Sequence, residues 1–292
     1  MIFSPDALGL TVLAPAKLNL FLEVLHKRDD GYHEIESLMV TVDLFDTLRF
    51  RDDPSGRVEF ACDDPSLPTD GGNLVVRAAE RLKAMTGCPR GVRIELSKAI
   101  PAQAGLAGGS SDAAATLQGL DQLWNLGLSL EELSQLSSTI GSDVPFFLSS
   151  SAAVCRGRGE RVEPVELSGP MHFVLICPPV GVATAEVYRR LTPPERPRPI
   201  AQALEALASG DAGSLGRTLF NRLQPVAESL EPSLGRVREA LAGLDPSLDG
   251  HLMSGSGSAY FGLARDRGAA EDAASRLASL DLGRVRVVTC GP

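Results

Sequence analysis

A chain of 292 residues that is 43% hydrophobic can bury a substantial core, which excludes a disordered polypeptide and fits one large or two medium domains. Its formal net charge of -9 at pH 7 argues against broad attraction to nucleic acid or to an anionic membrane and favours a small-molecule partner, while leaving room for a local basic pocket. The five cysteines (Cys62, Cys88, Cys155, Cys177 and Cys290) are scattered and contain no Cys-x-x-Cys pair, so neither a zinc site nor a disulfide framework is expected, and a reducing cytoplasm is the natural compartment. Residues 1–13 lack the basic flank and apolar run of a signal peptide, and no stretch approaches the roughly 20 apolar residues of a membrane span.

Alternation over residues 13–25 predicts a strand with Leu18, Leu20, Leu22 and Val24 on one face and Lys17, Asn19, Phe21 and Glu23 on the other. A turn at Asp29-Asp30-Gly31 leads to an apolar run over residues 38–50, read as one or two strands. Leu74, Ala78, Leu82 and Met85 stand at helical spacing, and residues 92–96 read as a strand. A helix carrying Ala113, Leu117, Leu120 and Trp124 follows, with Ser110, Ser111 and Asp112 as candidate cap and first-turn residues. Short strands are expected near 152–156 and 161–166, and the Leu167-Ser168-Gly169-Pro170 stretch marks a domain boundary, giving domains 1–168 and 169–292. Beyond it come a strand at 172–177, helical patterns over 183–244, two strands flanking a Gly-Ser-Gly turn, a helix and a last strand. That order suits a split βαβ domain.

The segment Pro101-Ala102-Gln103-Ala104-Gly105-Leu106-Ala107-Gly108-Gly109-Ser110-Ser111 places small residues and hydroxyls directly at a helix start. Glycines let backbone N–H groups approach an anion closely, and the first helical turn supplies orphan donors and the positive end of the macrodipole. A flexible loop followed by an ordinary cap would look the same locally. No Gly-x-x-x-x-Gly-Lys-Ser/Thr string is present, no Gly-x-Gly-x-x-Gly opens a helix after a strand, and the His-Arg-Asp and Asp-Phe-Gly pair of protein kinases is missing.

Three separated segments resemble one family, the GHMP kinase superfamily. They are Ala14-Pro15-Ala16-Lys17-Leu18-Asn19-Leu20, the loop 101–111, and Met253-Ser254-Gly255-Ser256-Gly257-Ser258. Asp30-Gly31-Tyr32-His33 and Gly141-Ser142-Asp143-Val144-Pro145-Phe146-Phe147 are similar to the branch that acts on a cytidine diphosphate-linked polyol. The resemblance implies an α+β, two-domain GHMP kinase fold, with a ribosomal-protein-S5-domain-2-like N-terminal domain and a ferredoxin-like C-terminal domain. It also implies ATP as phosphoryl donor, bound across the loop, and an acceptor hydroxyl on the polyol. Mg²⁺ is expected on the phosphates with no ligand assigned. The expected protein is a monomer or homodimer.

Carried over residue by residue, the resemblance makes Lys17 and Asp143 the catalytic pair, with Asp143 accepting the hydroxyl proton and Lys17 orienting and polarising that hydroxyl. Read by themselves, Lys17 also fits a solvated edge-strand lysine, and Asp143 a turn residue before Pro145. Asn73 and Lys98 join the loop on the ATP side, with a helix cap and a surface lysine as their plain alternatives. On the substrate side stand Asn19, Tyr32, His33, Thr184 and Tyr188, the aromatics suiting a stacked base. A homoserine or mevalonate-type kinase and a silent nucleotide-binding relative are the competing readings.

Overall fold

The computed structural model of the chain describes residues 1–6, 9–149, 151–244 and 246–291. In chain order its first half contains β1 (Ile2–Asp6), β2 (Gly9–Lys27), β3 (His33–Asp53), β4 (Val58–Cys62), α1 (Leu74–Thr86), β5 (Gly91–Ser97), α2 (Gly108–Trp124), α3 (Leu130–Ser138) and α4 (Phe146–Ser149). Next come β6 (Ala152–Gly157), β7 (Arg161–Pro164), β8 (Met171–Cys177), α5 (Thr184–Arg190), α6 (Ala201–Ser209), α7 (Ala212–Thr218) and β9 (Phe220–Asn221). The chain closes with α8 (Gln224–Leu230), α9 (Ser233–Ala242), β10 (Gly250–Met253), β11 (Tyr260–Ala264), α10 (Arg267–Ala278) and β12 (Arg284–Cys290). These elements form two compact units. One comprises Met1–Ala16, Leu44–Ile100 and Ala107–Ser150; the other comprises Lys17–Asp43, Pro101–Leu106 and Ser151–Pro292.

In the first unit β5 lies between the end of β3, antiparallel from Thr47↔Ser97 to Asp53↔Gly91, and β4, parallel from Val58↔Val92 to Cys62↔Leu96. Helix α1 starts at an Asn73 cap, whose side chain accepts from the Val75 N–H, and ends at the left-handed Gly87. It buries Val75, Ala78, Ala79 and Leu82; of the four residues whose spacing predicted the helix, Ala78 and Leu82 are buried, Leu74 is half-buried and Met85 is exposed. Helix α2 packs against α1, α3 and α4. Its Gly119 lies on the Phe50 ring, where a Cβ would already be 3.0 Å away, so the missing side chain sets the helix close to β3.

The start of α2 departs from the sequence expectation. The helix begins at Gly108, ahead of Ser110, Ser111 and Asp112, and its N-cap is Ala107 in a left-handed conformation with no side-chain cap bond. Helical bonding opens with the Ser111 N–H donating to the Ala107 carbonyl at 3.0 Å, so the N–H groups of Gly108, Gly109 and Ser110 lie ahead of the ladder.

In the second unit a four-stranded antiparallel sheet runs in the order β10-β11-β8-β12. With α10 between β11 and β12 this is the split βαβ plan that the element order suggested. Phe173 and Phe261 meet edge to face at 5.5 Å, and Val174, Ile176 and Tyr260 pack with Ala273 and Leu277 of α10. Each such fully buried side chain contributes about 1.5–3 kcal/mol. The unit also holds the β3–β6 ladder, Ile35↔Gly157 to Val40↔Ala152, and the short parallel pairing of β2 with β9 at Phe21↔Phe220 and Leu22↔Asn221.

Strand β2 also differs from its expected pattern. Both of its faces are buried from Ala14 to Val24, including Lys17 at 3% exposure, Asn19 at 1% and Glu23 at 0%. A solvated edge-strand Lys17 is thereby excluded. The polar residues survive burial because each has partners: Glu23, for example, accepts from the Arg222 guanidinium at 2.8 and 2.7 Å and from the N–H groups of Val24 and Arg198, both at 2.8 Å.

Candidate active site

Lys17 stands in the middle of β2 with its ammonium donating to the Gly105 carbonyl at 2.6 Å and to Asn19 Oδ1. The Asn19 amide in turn donates to Ser37 Oγ at 2.8 Å, and Ser37 donates to the Phe21 carbonyl at 2.7 Å, so the asparagine is held with its oxygen toward Lys17. Residues 104–106 are tied to this strand and to the Met253–Ser258 segment: Lys17 N–H donates to Leu106 O at 3.1 Å, and Ala259 N–H to Ala104 O at 3.0 Å. Ser254 Oγ donates to Gly105 O at 3.0 Å. Gly105 has φ 74°, and a Cβ there would lie 2.0 Å from the Ser254 carbonyl oxygen, so only glycine fits. Within this unit the structure therefore brings together Lys17, Asn19, Ala104, Gly105 and Leu106. Pro101 and Ala102 precede them, and Gln103 adopts a positive φ of 54° beside Gly181.

Ala107, Gly108, Gly109, Ser110 and Ser111 belong to the other unit, as the start of α2. Two carboxylates and a lysine lie beneath that start. Lys98 donates to Asp112 Oδ2 at 2.8 Å and to Asp46 Oδ2, and Asp46 Oδ1 accepts from the N–H groups of Ala99 at 2.6 Å and Ile100 at 2.9 Å. Asp46 and Asp112 are buried at 0% and 2% exposure. Burial pushes the Asp112 carboxyl up to about 7, with Asp46 adding to the rise and Lys98 opposing it. Burial alone would lower Lys98, but the two carboxylates outweigh it and hold the ammonium above its ordinary value. Ser111 Oγ and Asp112 Oδ1 are buried and have no hydrogen-bond partner among the described residues.

Asp143 lies in the half-buried turn that joins α3 to α4, both of which pack on α2. That turn is set by the Val144 N–H donating to the Gly141 carbonyl at 3.3 Å, and a Cβ on Gly141 would lie 3.9 Å from Ser110 Oγ. The Ser-Asp-Val-Pro segment is thus beside the first turn of α2. Asn73 is the cap of α1, and its amide also donates to the Pro68 carbonyl at 2.9 Å.

The substrate-side residues gather in the second unit. His33 and Tyr188 stack at 5.3 Å between centroids with a 32° tilt, and burial followed by the nearby Lys27 charge lowers the His33 pKa. Tyr32 leaves 53% of its surface exposed, with the Arg158 guanidinium 4.8 Å from its ring centre. Thr184 and Tyr188 stand one turn apart on α5, and the Thr184 hydroxyl meets Ser256 Oγ at 2.7 Å. Sequence reasoning passed over Asp46, Ser37, Arg158 and Asn221. Of these, only the Gly-x-Gly surroundings of Arg158 carried any local signal.

The GHMP kinases N terminal domain matches residues 73–155 and the GHMP kinases C terminal domain matches residues 203–280. A 4-diphosphocytidyl-2-C-methyl-D-erythritol kinase from Pelotomaculum thermopropionicum is 44% identical over 274 residues, covering 93% of this chain and 95% of the relative. One from Geobacillus sp. is 42% identical over 255 residues, covering 87% and 88%. A crystal structure of 4-(cytidine 5'-diphospho)-2C-methyl-D-erythritol kinase superposes with a TM-score of 0.81 at 41% identity, covering 97% of this chain and 99% of that one. A homoserine kinase from Cytophaga hutchinsonii shares the fold, at TM-score 0.77 and 21% identity over 100% of this chain and 97% of its own. The chain is an ATP-dependent kinase of the two-domain GHMP fold, and it belongs to the 4-diphosphocytidyl-2-C-methyl-D-erythritol kinase family.

Proposed function

We propose that the chain transfers the γ-phosphoryl group of ATP to the 2-hydroxyl of 4-diphosphocytidyl-2-C-methyl-D-erythritol, in the methylerythritol phosphate route to isoprenoid precursors. The observation that carries this reading is the buried Lys17 ammonium seated on the Gly105 carbonyl of the glycine-rich loop. In the reaction the acceptor hydroxyl gives its proton to the Asp143 carboxylate, and its oxygen bonds to the γ-phosphorus. The bond from that phosphorus to the β–γ bridging oxygen breaks, and ADP leaves with the electron pair. Lys17 donates to the attacking oxygen, and Asn19 fixes the direction of that donor.

Residues 101–111 cradle the ATP phosphates and Asn73 stands on the nucleotide side. Lys98 serves that side through the first turn of α2, to which Asp112 ties it. Tyr32, His33 and Tyr188 take the cytosine, with Thr184 as a polar contact. The divisions 1–168 and 169–292 are assigned as the N- and C-terminal domains, a reading supported by family matches on either side of that point.

Among the described residues no group of three or more His, Cys, Asp and Glu side chains is arranged to hold a metal ion. The partnerless oxygens of Ser111 and Asp112 are hard donors in a buried position, which fits Mg²⁺, and these two side chains would hold it. When bound, the ion would neutralise phosphate charge.

Turnover with purified protein tests the reading. ADP is expected with 4-diphosphocytidyl-2-C-methyl-D-erythritol, and not with homoserine or mevalonate. ATP consumption with either of the latter alone rejects it.

A further inference from the structure

Asn221, in the two-residue strand β9, is 4% exposed and lies outside every motif that the sequence offers. Its amide nitrogen donates to two carbonyls at once, Met253 O at 2.8 Å and Gly255 O at 2.7 Å, and its oxygen accepts the Leu223 N–H at 2.9 Å. The carbonyls on both sides of Ser254 are therefore fixed by one nitrogen. Ser254 is the residue whose hydroxyl donates to Gly105 O at 3.0 Å and accepts the Asn19 N–H at 3.3 Å. Gly255, at φ 56°, packs so closely that a Cβ would lie 3.1 Å from Lys17 Nζ and 3.1 Å from Gly105 O. A carboxamide is the group that supplies two N–H donors and an acceptor in one plane; an aspartate would present oxygens to both carbonyls, and a leucine would leave both without a donor.

We infer that Asn221 is a positioning residue for phosphoryl transfer, holding the Met253–Ser258 turn in the place that seats Ser254 and Gly255 against Lys17 and Gly105. This rests on the role given to Lys17 above. The plain alternative is that Asn221 only caps the turn into α8 through Leu223 and stabilises the fold.

The two separate in a double-mutant cycle with Lys17→Met, read as kcat per folded enzyme alongside the melting temperature. Asn221→Asp is expected to lower kcat about 10- to 100-fold while the KM for ATP stays within about threefold, since the loss falls on alignment at the reacting atoms. In the Lys17→Met background the same change should alter kcat by less than about threefold. Equal losses in both backgrounds, or a lowered melting temperature with normal kcat, overturn the assignment. Should Asn221→Asp fail to fold, Ser254→Ala leaves the asparagine bonds intact and reads the next link. The same kcat-selective loss is expected there, and unchanged turnover overturns the proposal. Wild-type turnover by Lys17→Met alone identifies the Lys17 assignment as the part that failed.

Discussion

The Lys17 ammonium donates to the Gly105 carbonyl across 88 residues of sequence, at 2.6 Å, and that single bond joins the first glycine of the loop to the middle of a buried strand. Any side chain at position 105 pushes on it, because φ is 74° and the Ser254 carbonyl oxygen occupies the space of a Cβ. Gly105→Ala should cost at least about 1–3 kcal/mol in stability and lower turnover by more than tenfold. Thermal melting and steady-state kinetics check this, and a normal enzyme would show that the loop tolerates displacement.

Asp143→Asn keeps the size of the side chain and removes its capacity to take a proton. Turnover should drop by about 10²–10⁴ with the melting temperature and ATP affinity retained. A loss smaller than tenfold removes Asp143 as the base.

Tyr32 presents an exposed ring with the Arg158 guanidinium over it, and precedes in sequence the His33 that stacks on Tyr188. Tyr32→Ala should raise the KM for the cytidyl substrate about tenfold, the equivalent of roughly 1.4 kcal/mol of stacking, with the KM for ATP little changed. An unchanged substrate KM argues against base stacking at this ring.

Glu23 gives a pH-dependent stability. Burial would raise its carboxyl pKa, but the Arg222 guanidinium and the N–H groups of Arg198 and Val24 outweigh it and hold it below the ordinary value. Its contribution is therefore complete above the unfolded carboxylate pKa and is lost as pH falls through the lower folded value. The melting temperature of Glu23→Gln should lie below that of the wild type at neutral pH, by about 2–4 °C for each kcal/mol lost, and the gap should narrow as the pH falls below the ordinary carboxylate range. A gap independent of pH would mean that the effect is one of packing.

Chelation provides a separate check. EDTA should abolish turnover and Mg²⁺ restore it, and Ser111→Ala should shift the Mg²⁺ requirement upward several-fold. An unshifted requirement removes the Ser111 hydroxyl from the metal's surroundings.

Much of the architecture was legible because periodicity and motif order are local properties. The 74, 78, 82 and 85 spacing gave α1, and the strand-helix-strand order after residue 170 gave the split βαβ unit. Strand β2 was read as two-faced because its polar residues alternate with leucines, yet both faces are covered by segments distant in sequence. The start of α2 was placed late because serines and aspartate are usual caps, whereas this helix opens on Ala107 and two glycines. Asp46 and Asn221 were invisible for a different reason. Their partners Lys98 and Gly255 lie 52 and 34 residues away, and neither residue sits in a pattern that marks it.

Helices α1, α3, α7 and α10 close their first turns with an asparagine, serine or aspartate oxygen, whereas α2 opens on Ala107 with no side-chain cap bond, as α5, α6, α8 and α9 also lack one. On the ATP role proposed for residues 101–111, phosphate seated at that end would satisfy its free amides, and nucleotide loading and helix completion would become one thermodynamic event. Resistance to heat then becomes a gauge of cargo: ADP should protect the enzyme by RT ln(1 + [L]/Kd), while adenosine, which brings no phosphate to that end, should protect it far less.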